Sequence, residues 1–90
     1  MALEMDYTDP NGNRYPNCYI VITSIVFVPD NAAICTNWYH DKSEWDAGLM
    51  PFQQPAYTTS VDTFDTLPVF TAAYDYLLTL PEYAGAQIVP

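Results

Sequence analysis

The sequence is poor in basic residues, because Arg14 and Lys42 are its only arginine and lysine against 11 acidic residues, for a net charge of −9. So many carboxylates repel phosphate groups within the Debye length of about 10 Å. This balance argues against binding to nucleic acid and against adsorption on an anionic membrane, since both need clustered lysine or arginine. We therefore expect a neutral or basic protein surface as the partner.

Glycine, cysteine and histidine are also scarce, which limits cofactor chemistry. Three glycines provide no glycine-rich phosphate loop, and two cysteines and one histidine without a Cys-x-x-Cys pair make no tetrahedral zinc site. The segment Asp9-Pro10-Asn11-Gly12 predicts a tight turn rather than a calcium loop, because Ile20 stands where the bidentate acid is needed. We expect no cofactor and no metal, and we expect Cys18 and Cys35 to be free, mostly buried thiols.

Long apolar runs are missing as well. The longest, residues 19–28, is roughly half of what a membrane-spanning helix needs. The first residues, MALEMDYTD, carry acids where a signal peptide has basic residues followed by an apolar stretch. We therefore expect synthesis in the cytoplasm, with no export signal and no membrane partner.

Apolar residues make up 50% of the chain and aromatic residues 16%, enough for one small folded domain. The predicted fold class is α+β, with a small antiparallel sheet of three to four strands and one C-terminal helix. Residues 1–17 are predicted to form an extended N-terminal arm, residues 18–87 the single domain, and residues 88–90 an apolar C-terminal tail.

Turn residues and apolar spacing place the predicted elements. Strands are expected over residues 18–28, 33–40 and 56–63, and a short helical turn or structured loop over residues 41–50. The C-terminal helix would be capped by Asp65 or Thr66, with Pro68 in its first turn. Its apolar stripe consists of Phe70, Ala73, Tyr74, Leu77 and Leu78.

The strand at residues 18–28 is apolar on both of its faces if its side chains alternate strictly. One face would carry Ile20, Ile22, Ser24, Val26 and Val28, and the other Tyr19, Val21, Thr23, Ile25 and Phe27. A strand of this kind must be covered twice. The sequence indicates one helix as a cover, so a partner subunit or a second sheet layer is expected to supply the other.

The histidine, His40, is flanked by Asp41 and Glu44, a pattern that could orient a general base. A nucleophile is missing, because Ser43 is too close in sequence to be positioned by the fold and the cysteines are expected to be buried. We therefore predict no catalytic residues and a non-enzymatic role.

Aromatic side chains are concentrated between two predicted strands, and they have two explanations. Such residues are favoured at the centre of protein interfaces, and they also form the core of small domains. Both explanations remain open. The candidate interface residues are Tyr19, Val21, Ile25, Phe27, Trp38, Tyr39, Trp45, Phe52, Tyr57, Ile88 and Val89.

Both ends of the chain carry short motifs. The sequence opens with Met1-Ala2-Leu3 and Tyr7-Thr8-Asp9-Pro10-Asn11-Gly12, and it closes with Tyr76-Leu77-Leu78 and Leu80-Pro81-Glu82-Tyr83-Ala84-Gly85-Ala86. In these features it resembles small virion-associated proteins of tailed bacteriophages. The resemblance implies a structural component of the virion, first of the tail or baseplate region and second of the capsid decoration.

The same resemblance implies that the partners are other virion proteins or copies of the chain itself. It carries over no catalytic residue. Two other classes stay open: an acidic inhibitor or DNA mimic that binds a basic partner, suggested by the charge, and a sugar-binding module, suggested by Trp38 and Trp45.

Overall fold

The computed structural model describes residues 1–64 and 68–90, which form one five-stranded antiparallel sheet with the strand order β4-β3-β2-β1-β5. Two short helices and two 3₁₀ turns complete the described residues. The elements are β1 (Ala2–Thr8), β2 (Arg14–Val28), β3 (Asn31–Tyr39), α1 (Lys42–Asp46), β4 (Ala56–Ser60), a 3₁₀ turn (Val61–Phe64), α2 (Val69–Leu78), a second 3₁₀ turn (Pro81–Tyr83) and β5 (Gln87–Val89).

The predicted fold class is wrong, since the domain consists mostly of sheet and has five strands and two short helices. The expected N-terminal arm contains a strand, because Leu3, Met5 and Tyr7 alternate with polar residues and pack in the core. The turn at residues 9–12 joins β1 to β2 as a hairpin, and Gly12 supplies the positive φ of 87° that the turn requires.

The C-terminal segment also adds a strand. β5 pairs with β1, where Val89 lies opposite Ala2 and Ile88 lies opposite Leu3. This strand has three residues, too few for sequence periodicity to reveal. β1 thus lies between β2 and β5 inside the sheet.

Helix α2 packs on one face of the sheet, which we call the inner face. Its buried residues are Ala72, Ala73, Tyr74 and Leu77, whereas Phe70 of the predicted stripe is 49% exposed. Pro68 precedes the helix without a side-chain cap. The predicted caps Asp65 and Thr66 lie outside the described residues.

Helix α1 is the short helical turn expected within residues 41–50, and an aspartate caps its N-terminus. The Asp41 carboxylate accepts the Glu44 N–H at 3.2 Å and also the Ser43 hydroxyl. Gly48 follows the helix with a φ of 72°. Trp45 packs α1 against Tyr19 and Tyr39 on the opposite face of the sheet, which we call the outer face.

Candidate interaction surface

A β-bulge in β2 decides which side chains the sheet presents on each face. The pairing of β2 with β3 shifts by one residue between Ile22, opposite Thr36, and Ser24, opposite Cys35. Beyond the bulge the alternation is reversed, because the extra residue turns the following side chains over. Strict alternation along residues 18–28 was therefore a wrong expectation.

The reversal moves Ile25 and Phe27 to the inner face. Ile25 packs against the main core cluster, and the Phe27 ring meets the Phe64 ring edge-on at 5.2 Å. Val26 and Val28 consequently lie on the outer face. Even-numbered residues of β2 such as Ile20 and Ile22 face inward before the bulge, and odd-numbered residues such as Ile25 and Phe27 face inward after it.

The outer face of β2, β3 and β4 beyond the bulge carries no charged side chain among its described residues. It is built from small, hydroxyl and β-branched residues, which the strand registers place side by side. We call this surface the outer patch, and it consists of Thr23, Ser24, Val26, Val28, Asn31, Ala33, Cys35, Ala56, Thr58 and Ser60.

The hairpin of β2 and β3 exposes its apolar end. Val26, Phe27 and Val28 are each 51% exposed, and they lie directly before the turn at Pro29 and Asp30. Three consecutive apolar side chains that are half exposed are unusual on a small soluble domain. This hairpin end and the adjoining outer patch form the candidate interaction surface.

Two of the predicted interface residues, Tyr19 and Tyr39, are covered by a third, Trp45 of α1. Trp45 of α1 packs against Tyr39 at 5.5 Å and against Tyr19 at 6.5 Å between ring centroids. Both tyrosines are 4% exposed, whereas Trp45 itself is 41% exposed. On the outer face around Tyr19 and Tyr39, the chain's own α1 therefore provides the cover. Among these three aromatic residues, Trp45 is the one with substantial solvent exposure.

Trp38, Phe52 and Tyr57 belong to the main core. Trp38 is 1% exposed, and its ring meets those of Phe52, at 6.4 Å, and Tyr83, at 5.6 Å. The Tyr83 hydroxyl donates to the Tyr57 hydroxyl at 3.0 Å. Burial raises the pKa of Tyr83 to about 12 and also raises the pKa of Tyr57, so both phenols stay neutral at physiological pH.

The remaining candidates are dispersed. Val21 on the outer face and Val89 in β5 are half-buried around the cluster of Ala2, Tyr19 and Tyr39. Ile88 in β5 is 41% exposed. The structure thus brings Phe27 to the hairpin end and leaves Ile88 and Val89 at the far edge of the sheet.

Sequence reasoning missed a stack of rings around His40. The imidazole contacts Phe52, at 4.4 Å and nearly parallel, and Tyr15, at 4.3 Å, and these two rings are themselves 6.0 Å apart. Glu44 accepts the His40 backbone N–H at 2.8 Å and contacts Nδ1 at 3.0 Å, and these hydrogen bonds lower the pKa of Glu44. The stack and the carboxylate fix the ring where β2, β3 and α1 meet.

The cysteines are both free and lie on opposite faces of the sheet. Cys18 is buried on the inner face, where desolvation raises the pKa of its thiol to about 12. Cys35 is half-buried within the outer patch. The expectation of two free thiols is confirmed, although Cys35 is less buried than expected.

The turn at residues 9–12 is closed by the side chain of Asp9. Its Oδ1 accepts the Asn13 N–H at 2.8 Å and the Asn11 N–H at 2.9 Å. These hydrogen bonds lower the pKa of Asp9, the bond from Asn13 most strongly. Within residues 1–64 and 68–90 no group of three or more histidine, cysteine, aspartate or glutamate side chains could hold a metal ion.

Comparison with protein-family models, with curated proteins and with solved structures found no match for the chain. The helices of the described residues include none that is long and apolar enough to span a membrane.

Proposed function

We propose that this protein is a non-enzymatic structural component of a tailed-bacteriophage virion that acts through protein–protein contacts. The tail or baseplate region is the first proposed position and capsid decoration the second. The proposal joins the resemblance of the terminal motifs to the surface built by the β2–β3 hairpin.

The observation that carries the proposal is the exposed apolar end of that hairpin. Val26, Phe27 and Val28 expose half of their surface beside the uncharged outer patch. Burying apolar area against another protein is favourable by about 25 cal/mol per Å². Burying this surface against another protein would therefore stabilise the complex, whereas contact with water gives no such gain.

Charge supports the same role. The 11 acidic residues keep the molecule soluble, yet none of them lies in the outer patch or in β2. Several of the described acids lie in turns and at helix starts, as Asp9 and Asp41 illustrate. A surface that is uncharged within an acidic molecule suits a contact that excludes water.

Mass spectrometry of purified particles tests the proposal, using phage whose genome encodes the chain and its major capsid protein as the detection control. We expect peptides of the chain in the particles, at a constant ratio to the capsid protein after repeated density-gradient purification. Peptides that appear in the lysate and disappear from purified particles would overturn the proposal. Co-purification with a basic DNA-binding protein instead would favour the inhibitor alternative.

A further inference from the structure

On one of its two sides, β2 is paired with another strand only along its first half. β3 pairs with β2 along residues 19–28, whereas β1, on the other side, reaches only to Ile20. The next amide on that side, Ile22 N–H, donates to the Tyr74 hydroxyl at 3.0 Å. In the part of the chain that the structure describes, no strand pairs with this side of residues 23–28, which we call the free edge of β2.

Natural proteins protect sheet edges with charges, prolines, β-bulges or a covering segment. The free edge has one of these features, the bulge at its first residues. Residues 23–28 contain neither charge nor proline, and Val26, Phe27 and Val28 are half exposed. Six residues extend about 20 Å, which is long enough for a stable ladder when side chains pack beside it.

We propose that this edge pairs in antiparallel fashion with the same edge of a second copy of the chain, so that two sheets become one. The inference deepens and rests on the proposed function, because it names the chain itself as a partner. An antiparallel edge is complementary to itself about a two-fold axis, and isologous contacts of this kind are the commonest in homo-oligomers.

The side chains fit such an axis at Val26. Ser24 then lies opposite Val28, and Ile25 lies opposite Phe27 of the other copy. The first pair belongs to the outer face and the second to the inner face, so each sheet face continues across the axis. Apolar and β-branched cross-strand pairs contribute roughly 0.2–1 kcal/mol each.

Charge selects the second copy and the antiparallel direction. The nearest acid along the chain beyond the edge is Asp30 in the turn. With Val26 on the axis the two Asp30 residues lie about 27 Å apart, more than twice the Debye length. A parallel pair would place them about 5 Å apart and repel. A basic partner, in contrast, finds no carboxylate on residues 23–28 to bind.

Sedimentation equilibrium of the purified chain tests the inference, with Val26→Lys as the edge variant and Gln87→Lys as the matched control. Gln87 is an exposed residue of β5, the strand at the border of the sheet beside β1 and outside the candidate interaction surface. We expect a dimer for the wild type and for Gln87→Lys. Val26→Lys should raise the dimer dissociation constant at least tenfold, because two lysines face each other at the axis.

Circular dichroism checks that both variants keep their sheet, which the exposure of Val26 favours. Hydrogen exchange supplies a second measurement, and the amides of residues 23–28 should become more protected as concentration rises. A monomeric wild type, or equal dissociation constants for wild type and Val26→Lys, would overturn the inference. A loss of the dimer in Gln87→Lys alone would assign pairing to β5 and overturn it as well.

The two proposals fail separately. A dimer in solution that is missing from purified particles would contradict the virion role alone. A monomer that is present in particles would contradict the edge pairing alone.

Discussion

The hydroxyl of Tyr74 makes hydrogen bonds beside the first residue of β1, and removing it should lower the stability of the fold measurably. Tyr74 is 2% exposed on α2. Its hydroxyl accepts the buried Ile22 N–H at 3.0 Å and donates to the Met1 carbonyl at 3.0 Å. Tyr74→Phe keeps the ring and deletes both hydrogen bonds.

The two bonds differ in what their loss costs. The Ile22 amide would remain buried without an acceptor, which costs about 1–3 kcal/mol. The Met1 carbonyl is only partly buried, so water can replace the lost donor at little cost. We therefore expect Tyr74→Phe to lower the free energy of unfolding by about 2 kcal/mol.

Urea denaturation followed by circular dichroism measures this loss, and an unchanged m-value would show that the unfolded state is the same. The control is Tyr76→Phe on the same helix, because Tyr76 is half-buried and its hydroxyl makes no hydrogen bond among the described residues. We expect less than about 0.5 kcal/mol for the control. An equally small loss for Tyr74→Phe would refute the role assigned to the hydroxyl.

Three further predictions concern other contacts of the sheet. A thiol reagent should label Cys35 in the native protein and spare Cys18, whose raised pKa of about 12 and burial keep it protonated. Trp45→Ala should cost roughly 2 kcal/mol in urea denaturation, because it removes a half-exposed cover from two buried tyrosines. Because the pKa of Glu44 is lowered by its bonds to His40, its stabilisation is complete above the ordinary value of 4.5 and is lost as pH falls through the folded-state value. Glu44→Gln should therefore reduce the loss of stability that acid titration measures below pH 4.5.

Each of these has a result that contradicts it. Equal labelling rates for both thiols in folded protein would show that Cys18 is accessible. A Trp45→Ala variant as stable as the wild type would show that α1 does not stabilise the outer face. For the acid titration, Asp75→Asn on the exposed side of α2 is the control. If it changes the acid profile as much as Glu44→Gln does, the effect is one of net charge.

The sequence predicts the centre of the sheet better than its borders. β2, β3 and β4 follow from β-branched and aromatic runs bounded by turn residues. β1 also alternates with a period of two. Its acids Glu4 and Asp6 face outward and make the segment polar, which is why the sequence predicts an extended arm. β5 is recognisable only by its pairing with β1, which is a contact between distant parts of the chain.

The candidate surface depends on the bulge in β2, which a period-two pattern does not reveal. Thr23 and Ser24, two small polar residues within an apolar strand, are the signal that could have located it. A strict period of two places Val26 on the face of Ile22 and Phe27 on the opposite face, and the bulge exchanges these positions. The aromatic cluster had two open explanations because composition does not distinguish a core from an interface.

The pairing of β1 with β5 has a consequence for how the chain folds. The β2–β3 hairpin closes over a short turn and can form early, even during synthesis. β1 can also pair with β2 through the turn at residues 9–12, but its other side pairs with residues 87–89, and the Ile22 amide binds the hydroxyl of Tyr74. These contacts must wait until nearly all of the described chain has emerged. Closing so large a loop costs entropy before its contacts compensate. The sheet is thus expected to be completed last along the β5 side of β1, although β1 is the first of the described strands to be synthesised.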